Sequence, residues 1–459
     1  MATRAAELRL AALGPAAGPA AVAGPGMAPA TLFRVALALL IVGNLGILPL
    51  ARVDATHSAA VLFNDLVVVG TVTLGLLAAA RAGSQRVDGP GLLGLLFAAL
   101  GAASALLAMP RFGISGSELL FSLAYLVRWL AYFGIYLVAI NLLREADVER
   151  VWRALETAIL AFAAFGILQA LFLPGFAQMV EPHVGWDIQG HRLVSTFLDP
   201  NMAGALIDIG LLVVLARLSV GASSAWKAVV LLAALALTIS RGSIGAFVAG
   251  GLVILAARGL SRRLLRIAAL LLVLALPFVP ALIEFAQTFR KFNLGYSAAL
   301  KVPFWLHAIR VFLDHPVIGV GFNTYGYVQR SYGWAVHGVQ RFGVDGGLLF
   351  IGVMTGLVGL ALYAGMMVLV LRRCRRIWRD GSRGAQDQGL AIGVAAATVA
   401  IVVHSVFANS LIYPLIMEPL WVLWALTFAL DRPAAVGARV PGAPVIVTAP
   451  RLSRASQAA

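Results

Sequence analysis

The chain has 459 residues, 61% of them hydrophobic and 12% charged, with a mean hydropathy of +0.92 and a formal net charge of +15. A sequence this apolar cannot fold around one aqueous core without leaving hydrocarbon exposed, which excludes a soluble globular protein and predicts an all-α, polytopic integral membrane protein. Nor does the positive charge call for nucleic acid, because the basic residues stand in short loops between apolar runs, where they set topology.

Residues 1–31 are rich in Ala, Gly and Pro and lack the continuous apolar stretch of a signal peptide, so a disordered cytoplasmic N-terminus is expected, with the first span as insertion signal. Apolar stretches then predict spans near 32–50, 61–80, 91–108, 118–143, 153–174, 200–217, 226–240, 242–257, 264–285, 346–371, 388–410 and 413–430, about twelve in all. They define a transmembrane domain over 32–430, followed by a second disordered cytoplasmic tail at 431–459. Every second loop is basic: Arg81 and Arg86, then Arg144, Arg150 and Arg153, then Arg217 and Lys227, then Arg258, Arg262, Arg263 and Arg266, and finally the run from Arg372 to Arg383. These loops belong in the cytoplasm with both termini. The 175–199 loop, the Ser240-Arg241-Gly242 corner and a large loop at 286–345 are then expected to face the periplasm. Cys374, the one cysteine, stands in a basic loop; it excludes an internal disulfide and a Cys-based zinc site, and is a poor candidate nucleophile.

On the periplasmic side, His191 to Asn201 runs directly into a span, with Asp199 suited to its cap and Pro200 to its first turn. Arg192 and Arg241 each sit in a turn flanked by Ser or Thr. Either alone reads as an arginine reaching for lipid phosphate; two on one face point to a shared anionic ligand such as a pyrophosphate. In the large loop, Phe304, Trp305, Ala308, Ile309, Phe312 and Leu313 form one helical stripe, with His307, Arg310 and Asp314 opposite. This predicts an interfacial amphipathic helix ending before Pro316. Tyr325, Tyr327, Tyr332 and Trp334 follow, as sugar-stacking rings or as an ordinary interfacial belt. Asp345, at the mouth of the next span, is either a general base or a helix cap.

Charges within spans, namely Asp65, Arg128, Glu156, Asp208, His404 and Glu418, cost roughly 2.5–3.5 kcal/mol each near a helix centre and are expected to pair inside the bundle. A chain of them is also what a proton or ion path needs. Against that transporter reading stands the lack of an internal repeat and of a matched pair of broken helices.

From about Arg192 to about Gly359 the chain resembles the O-antigen ligase and polymerase superfamily of bacterial membrane glycosyltransferases. The resemblance rests on Arg192 with Ser195-Thr196-Phe197 and Pro200-Asn201, on Thr238 with Ser240-Arg241-Gly242, on Trp305 ahead of His315-Pro316-Val317-Ile318-Gly319-Val320-Gly321-Phe322, and on Asp345 with Leu348, Gly356 and Gly359. It implies a GT-C-like, metal- and cofactor-independent inverting glycosyltransferase of the bacterial inner membrane. The implied donor is a polyprenyl-pyrophosphate-linked glycan, and the partners are a glycan acceptor, the bilayer and a chain-length-regulating membrane protein, with no nucleic acid. In that family arginines hold the pyrophosphate, a role the resemblance gives to Arg192 and Arg241. Asn201, Lys301, Trp305, Arg310, Tyr325, His337 and Arg341 are the candidates for substrate contact. The chain departs from the ligase pattern twice. Asp345-Gly346 stands where ligases have His-Asn, with His337 the nearest substitute, and Lys301 stands where the family has an arginine, which loses the bidentate fork. The departure at Asp345 favours polymerisation of repeat units for O-antigen or exopolysaccharide, with Asp345 handling the acceptor hydroxyl; transfer to a lipid A core or a protein is the second reading.

Overall fold

The computed structural model describes residues 29–42, 49–52, 60–180, 191–259, 294–334 and 344–432. α1 (Pro29–Val42) is followed by an antiparallel hairpin of β1 (Pro49–Arg52) and β2 (Ala60–Leu62), then by α2 (Phe63–Arg81), α3 (Gly89–Phe112), α4 (Gly116–Leu142) and α5 (Glu145–Phe172). A short α6 (Phe176–Val180) precedes α7 (Pro200–Ser219), α8 (Ala225–Thr238) and α9 (Arg241–Arg258). The described part of the large loop holds α10 (Leu294–Asp314) and the one-turn α11 (Tyr325–Val328), and α12 (Gly347–Arg379), α13 (Ala385–His404) and α14 (Pro414–Ala429) complete the chain. Among the described residues, α2 to α5, α7, α9, α12 and α13 are long and apolar enough to cross a membrane, and α8 and α14 are shorter apolar helices. The protein is an all-α polytopic membrane protein, as its composition predicts.

Several boundaries differ from the sequence reading. The first expected span ends in β1, which starts at Pro49 and pairs back onto the residues just before α2. The stretch 264–285 lies outside the described residues, as do 1–28 and 433–459 of the two tails, while 29–31 of the first tail already belong to α1. α12 runs on through its arginines, so Cys374 is fully buried within a helix rather than set in a loop; Leu, Arg and Met are good helix formers, and apolar spacing alone does not show where such a helix ends.

The termini follow local chemistry. Ser115 and Glu118 form a reciprocal capping box on α4, Asp88 accepts from Gly91 N at 2.8 Å ahead of α3, and Gly113 ends α3 in the left-handed region at φ 63°. α7 is buried along its whole apolar window. Small residues let its neighbours approach, since a Cβ at Gly393 of α13 would lie 2.6 Å from Val213 Cα. α2, α3 and α5 instead leave Leu66, Leu76, Leu106 and Leu171 exposed, as bilayer-facing helices must. Of the charges within spans, Asp65 pairs with Arg128 at 2.6 Å and Glu156 with Lys227 at 2.6 Å, while Glu418 accepts from Asn64 Nδ2 at 3.0 Å. Asp208 is wholly buried, and neither of its oxygens has a hydrogen-bond partner among the described residues.

The His315–Phe322 motif is explained by a break in α12. At Gly356 the backbone turns to φ 65° and ψ −165°, which frees two carbonyls and two amides of the helix. The motif supplies their partners: Val320 N donates to Val353 O at 2.9 Å and Gly321 N to Met354 O at 3.0 Å, while Leu357 N donates to Pro316 O at 2.7 Å and Val358 N to Val317 O at 3.2 Å. This backbone pairing admits no side chain at the crossing point, because a Cβ at Gly319 would overlap Val353 O and one at Gly356 would overlap Val317 O. Gly356→Ala is therefore expected to lower stability by at least about 1–3 kcal/mol from backbone strain alone, read as a fall in thermal-unfolding midpoint. Gly251→Ala, where a Cβ meets nothing within 4 Å, should leave the midpoint unchanged or raise it slightly.

Candidate active site

Arg192 is held against the end of α8. Its Nε donates to Thr238 O at 2.9 Å and Nη2 to Ile239 O at 3.4 Å, so the guanidinium satisfies carbonyls that the helix end leaves without partners. The turn that carries Arg192 is fixed from α5: Gln169 Oε1 accepts from Val194 N at 3.0 Å and Ser195 N at 3.2 Å, and Ser195 Oγ donates to Phe162 O at 2.8 Å. These bonds hold Ser195 at φ 49° and Leu198 at φ 55°, left-handed values that a non-glycine residue adopts only when its surroundings impose them.

Asp199 then caps α7, accepting from Asn201 N at 2.7 Å and Met202 N at 3.3 Å. Burial pushes its carboxyl above the usual range; the two amides and Arg192 oppose the shift, and the charge of Asp345 adds to it. One guanidinium and two carboxylates therefore share a single electrostatic neighbourhood. The charges of Asp199 and Arg128 both reach the hydroxyl of Tyr413, which brings the Asp65–Arg128 pair to the same region.

Asp345 stands one residue before the cap position of α12. Gly346, at φ 112°, occupies that position, and two of the first amides of the helix bond across to the turn after α13: Gly347 N donates to Ala408 O at 3.0 Å and Leu348 N to Ser405 O at 3.3 Å. The backbone carbonyl of Asp345 accepts from Trp305 Nε1 at 2.7 Å, which ties α10 to the mouth of α12.

Arg241 opens α9 next to these groups, exposed, with no side-chain ion pair or hydrogen bond among the described residues. Beneath it runs a chain of buried hydrogen bonds. Ser240 Oγ bonds to Asn201 Oδ1 at 2.9 Å and to Ser243 Oγ at 3.0 Å. Ser243 Oγ in turn meets His404 Nε2 at 3.1 Å, and His404 Nδ1 meets the hydroxyl of Ser410. Sequence reasoning placed Asn201 and the corner at the site but read His404 as a paired span charge, and it overlooked Gln169 and Ser410. For Ser410 the available signal was the polar residues Ser405, Asn409 and Ser410 between two apolar stretches.

The other candidates are dispersed. Lys301 belongs to α10, one turn before Trp305. Arg310 is exposed over the Tyr332 ring at 5.8 Å, and Tyr325 is only 2% exposed, so it packs in the core rather than offering a face to a sugar. His337 and Arg341 lie outside the described residues. α10 ends at Asp314 as predicted, but Ile309 and Leu313 of its expected stripe are exposed; the buried side is Ala308 and Val311 with Trp305 and Phe312 partly covered. Beyond the helix, Arg111 donates to His315 Nδ1 at 2.7 Å, His315 Nε2 meets Tyr332 Oη at 3.3 Å, and that hydroxyl donates to Asp314 at 2.9 Å.

Two predictions follow from this geometry. His404→Leu removes the buried partner of the Ser410 hydroxyl and one of those of Ser243 and should cost about 1–3 kcal/mol in denaturant unfolding, whereas His404→Gln, which keeps a polar group near Nε2, should recover much of the loss. Burial first and Arg111 second hold the imidazole of His315 below its ordinary pKa of 6.5, with Asp314 opposing. Its unfolded form thus binds a proton before its folded form does. Its contribution is complete above pH 6.5 and lost as pH falls through the lower folded value. The difference in melting temperature between wild type and His315→Gln, measured across that range, should shrink toward acid pH.

No curated protein matches the chain. The sequence model of the family described as O-antigen ligase matches residues 227–364, less than a third of the chain, a stretch that contains Arg241, Trp305, Asp345 and the broken part of α12 but neither Arg192 nor His404. Over that stretch the chain is similar to the O-antigen ligase family, in line with the superfamily its motifs resemble.

Proposed function

We propose that this protein is a membrane glycosyltransferase of the O-antigen ligase and polymerase type, acting on a glycan carried by polyprenyl pyrophosphate, and that it joins repeat units into a polymer. The observation that carries the reading is the shared field of Arg192, Asp199 and Asp345 beside the Arg241 corner. Cations can hold a departing pyrophosphate there while a carboxylate engages an acceptor hydroxyl. The match to the O-antigen ligase family supports the general chemistry.

In this mechanism the acceptor oxygen attacks the anomeric carbon from the face opposite the pyrophosphate. The new carbon–oxygen bond forms as the bond to the phosphate oxygen breaks, the electron pair leaves on the pyrophosphate, and the hydroxyl proton passes to the Asp345 carboxylate. The leaving group is already a stabilised anion, so the arginines need only neutralise and position it. Lys301 and the N–H donors of Asn201 add contacts to the donor. The site faces the periplasm of the inner membrane, with both termini in the cytoplasm. A ligase reading, with lipid A core or protein as acceptor, is favoured by the description of the matched family, and Asp345 in place of the ligase His is the feature that sets it second.

Purified protein in lipid, given only a polyprenyl-pyrophosphate-linked repeat unit, should produce a ladder on a gel. Arg192→Ala and Asp345→Asn should each slow its formation by about a hundred- to a thousand-fold. A product that appears only after a lipid A core or protein acceptor is added would transfer the assignment to the ligase reading.

A further inference from the structure

Roughly 40 Å along α12 from Asp345, at about 1.5 Å per residue, the arginine-rich end of the helix carries a groove that glycosyl transfer does not use. α9 and α12 both pack on α13 and hardly on each other. The gap between them is a cavity of ≈ 300 Å³ walled by Val253 of α9 and by Val368 and Leu371 of α12, with Ala395 of α13 also lining it. Arg372, Arg375 and Trp378 complete its lining. A second cavity of ≈ 460 Å³ shares Arg372 and Arg375 and adds Arg376, Arg379 and the carboxylate of Asp380.

The charges in this second cavity are unbalanced. Arg373 and Arg383 are matched by Asp431, and Asp380 is engaged by the hydroxyl and amide of Ser382 and by Arg383. Arg372, Arg375, Arg376 and Arg379 are exposed and have no ion pair among the described residues. Basic residues at a helix end are expected as topology signals, and that role needs no slot between three helices. Here an apolar slot leads into a cluster of guanidiniums. Nearby Val248, Leu252 and Leu255 of α9 are exposed and apolar, so the slot opens toward the hydrocarbon of the bilayer. A small floor residue leaves room for an acyl chain, and arginine forks match a phosphate at its head.

We propose that the groove between α9 and α12 binds an anionic glycerophospholipid of the bilayer, with an acyl chain along Val253, Leu371 and Ala395 and the headgroup phosphate between Arg372 and Arg375. The site is separate from the glycosyl-transfer site and stands or falls independently of it.

Trp378 reports on occupancy. The full chain, reconstituted in nanodiscs of zwitterionic phosphatidylcholine, would receive a small fraction of phosphatidylglycerol brominated on its acyl chains, or the same fraction of brominated phosphatidylcholine. The Trp378 signal is isolated from that of the other tryptophans by subtracting Trp378→Phe. Brominated phosphatidylglycerol should quench it severalfold more than brominated phosphatidylcholine, and Arg372→Gln with Arg375→Gln should remove the preference. Equal quenching by the two lipids would mean contact with bulk bilayer only. Quenching by neither would mean that the groove is filled by protein, from this chain or a second copy. Either result overturns the proposal. Native mass spectrometry provides a readout independent of Trp378: wild type should retain more phosphatidylglycerol than the double arginine variant, and equal retention also counts against the site.

Discussion

Backbone hydrogen bonding in the absence of water governs this structure. A bilayer offers no partner to a peptide group that leaves a helix, so every interruption must be answered by another part of the chain. α12 breaks at Gly356, and residues 316–321 answer it; α8 ends at Ile239, and Arg192 answers its carbonyls. α12 begins without a side-chain cap, and the turn after α13 receives its amides through Ser405 O and Ala408 O. These answered interruptions gather Arg192, Arg241, Asn201 and Asp345 into one region although the residues are far apart in sequence. The candidate site is assembled where helices stop, because only there can side chains and irregular backbone face a common space.

The same constraint decides what could be read from the sequence. Long apolar stretches carry their own hydrogen bonds, so α2 to α5, α7, α9, α12 and α13 were legible from hydropathy, and the cap at Asp199 from one residue followed by proline. What could not be read was pairing between segments. The His315–Phe322 motif is visible as a pattern, but its glycines mean a crossing with α12 only once Val353 and Met354 are seen opposite them. The acceptors of α12's first amides, Ala408 O and Ser405 O, could not be read from the residues around Asp345, since they lie some sixty residues away. Tyr325 read as a surface ring because aromatic composition does not distinguish an interface from a core. His404 read as a span charge because its partners, Ser243 of α9 and Ser410 of the turn after α13, come from segments that no local pattern links to it.

Electrostatics divide the molecule into two ends. Around Asp199 the charges are few, partly enclosed and mutually engaged, and a charge change on one is felt by the others because little water screens them. At the far end of α12 arginines outnumber the carboxylates of Asp380 and Asp431, and Arg372, Arg375, Arg376 and Arg379 are exposed. Between them Asp208 sits wholly buried without a hydrogen-bond partner among the described residues.

The buried chain from Ser410 to Asn201 ties together three segments that hydropathy treats separately. His404 at the end of α13 and Ser410 in the turn after it reach Ser243 and Ser240 at the start of α9, and Ser240 reaches Asn201 in the first turn of α7. Ser240, Ser243, His404 and Ser410 are buried, so a partner lost from one segment is not replaced by water, and each segment holds the other two in place. Arg192 grips the same corner from the other side through Thr238 O and Ile239 O. The turn that carries Arg192 and the corner that carries Arg241 are therefore kept in register by bonds on both sides of the chain between them, and that register is what a sequence pattern cannot display.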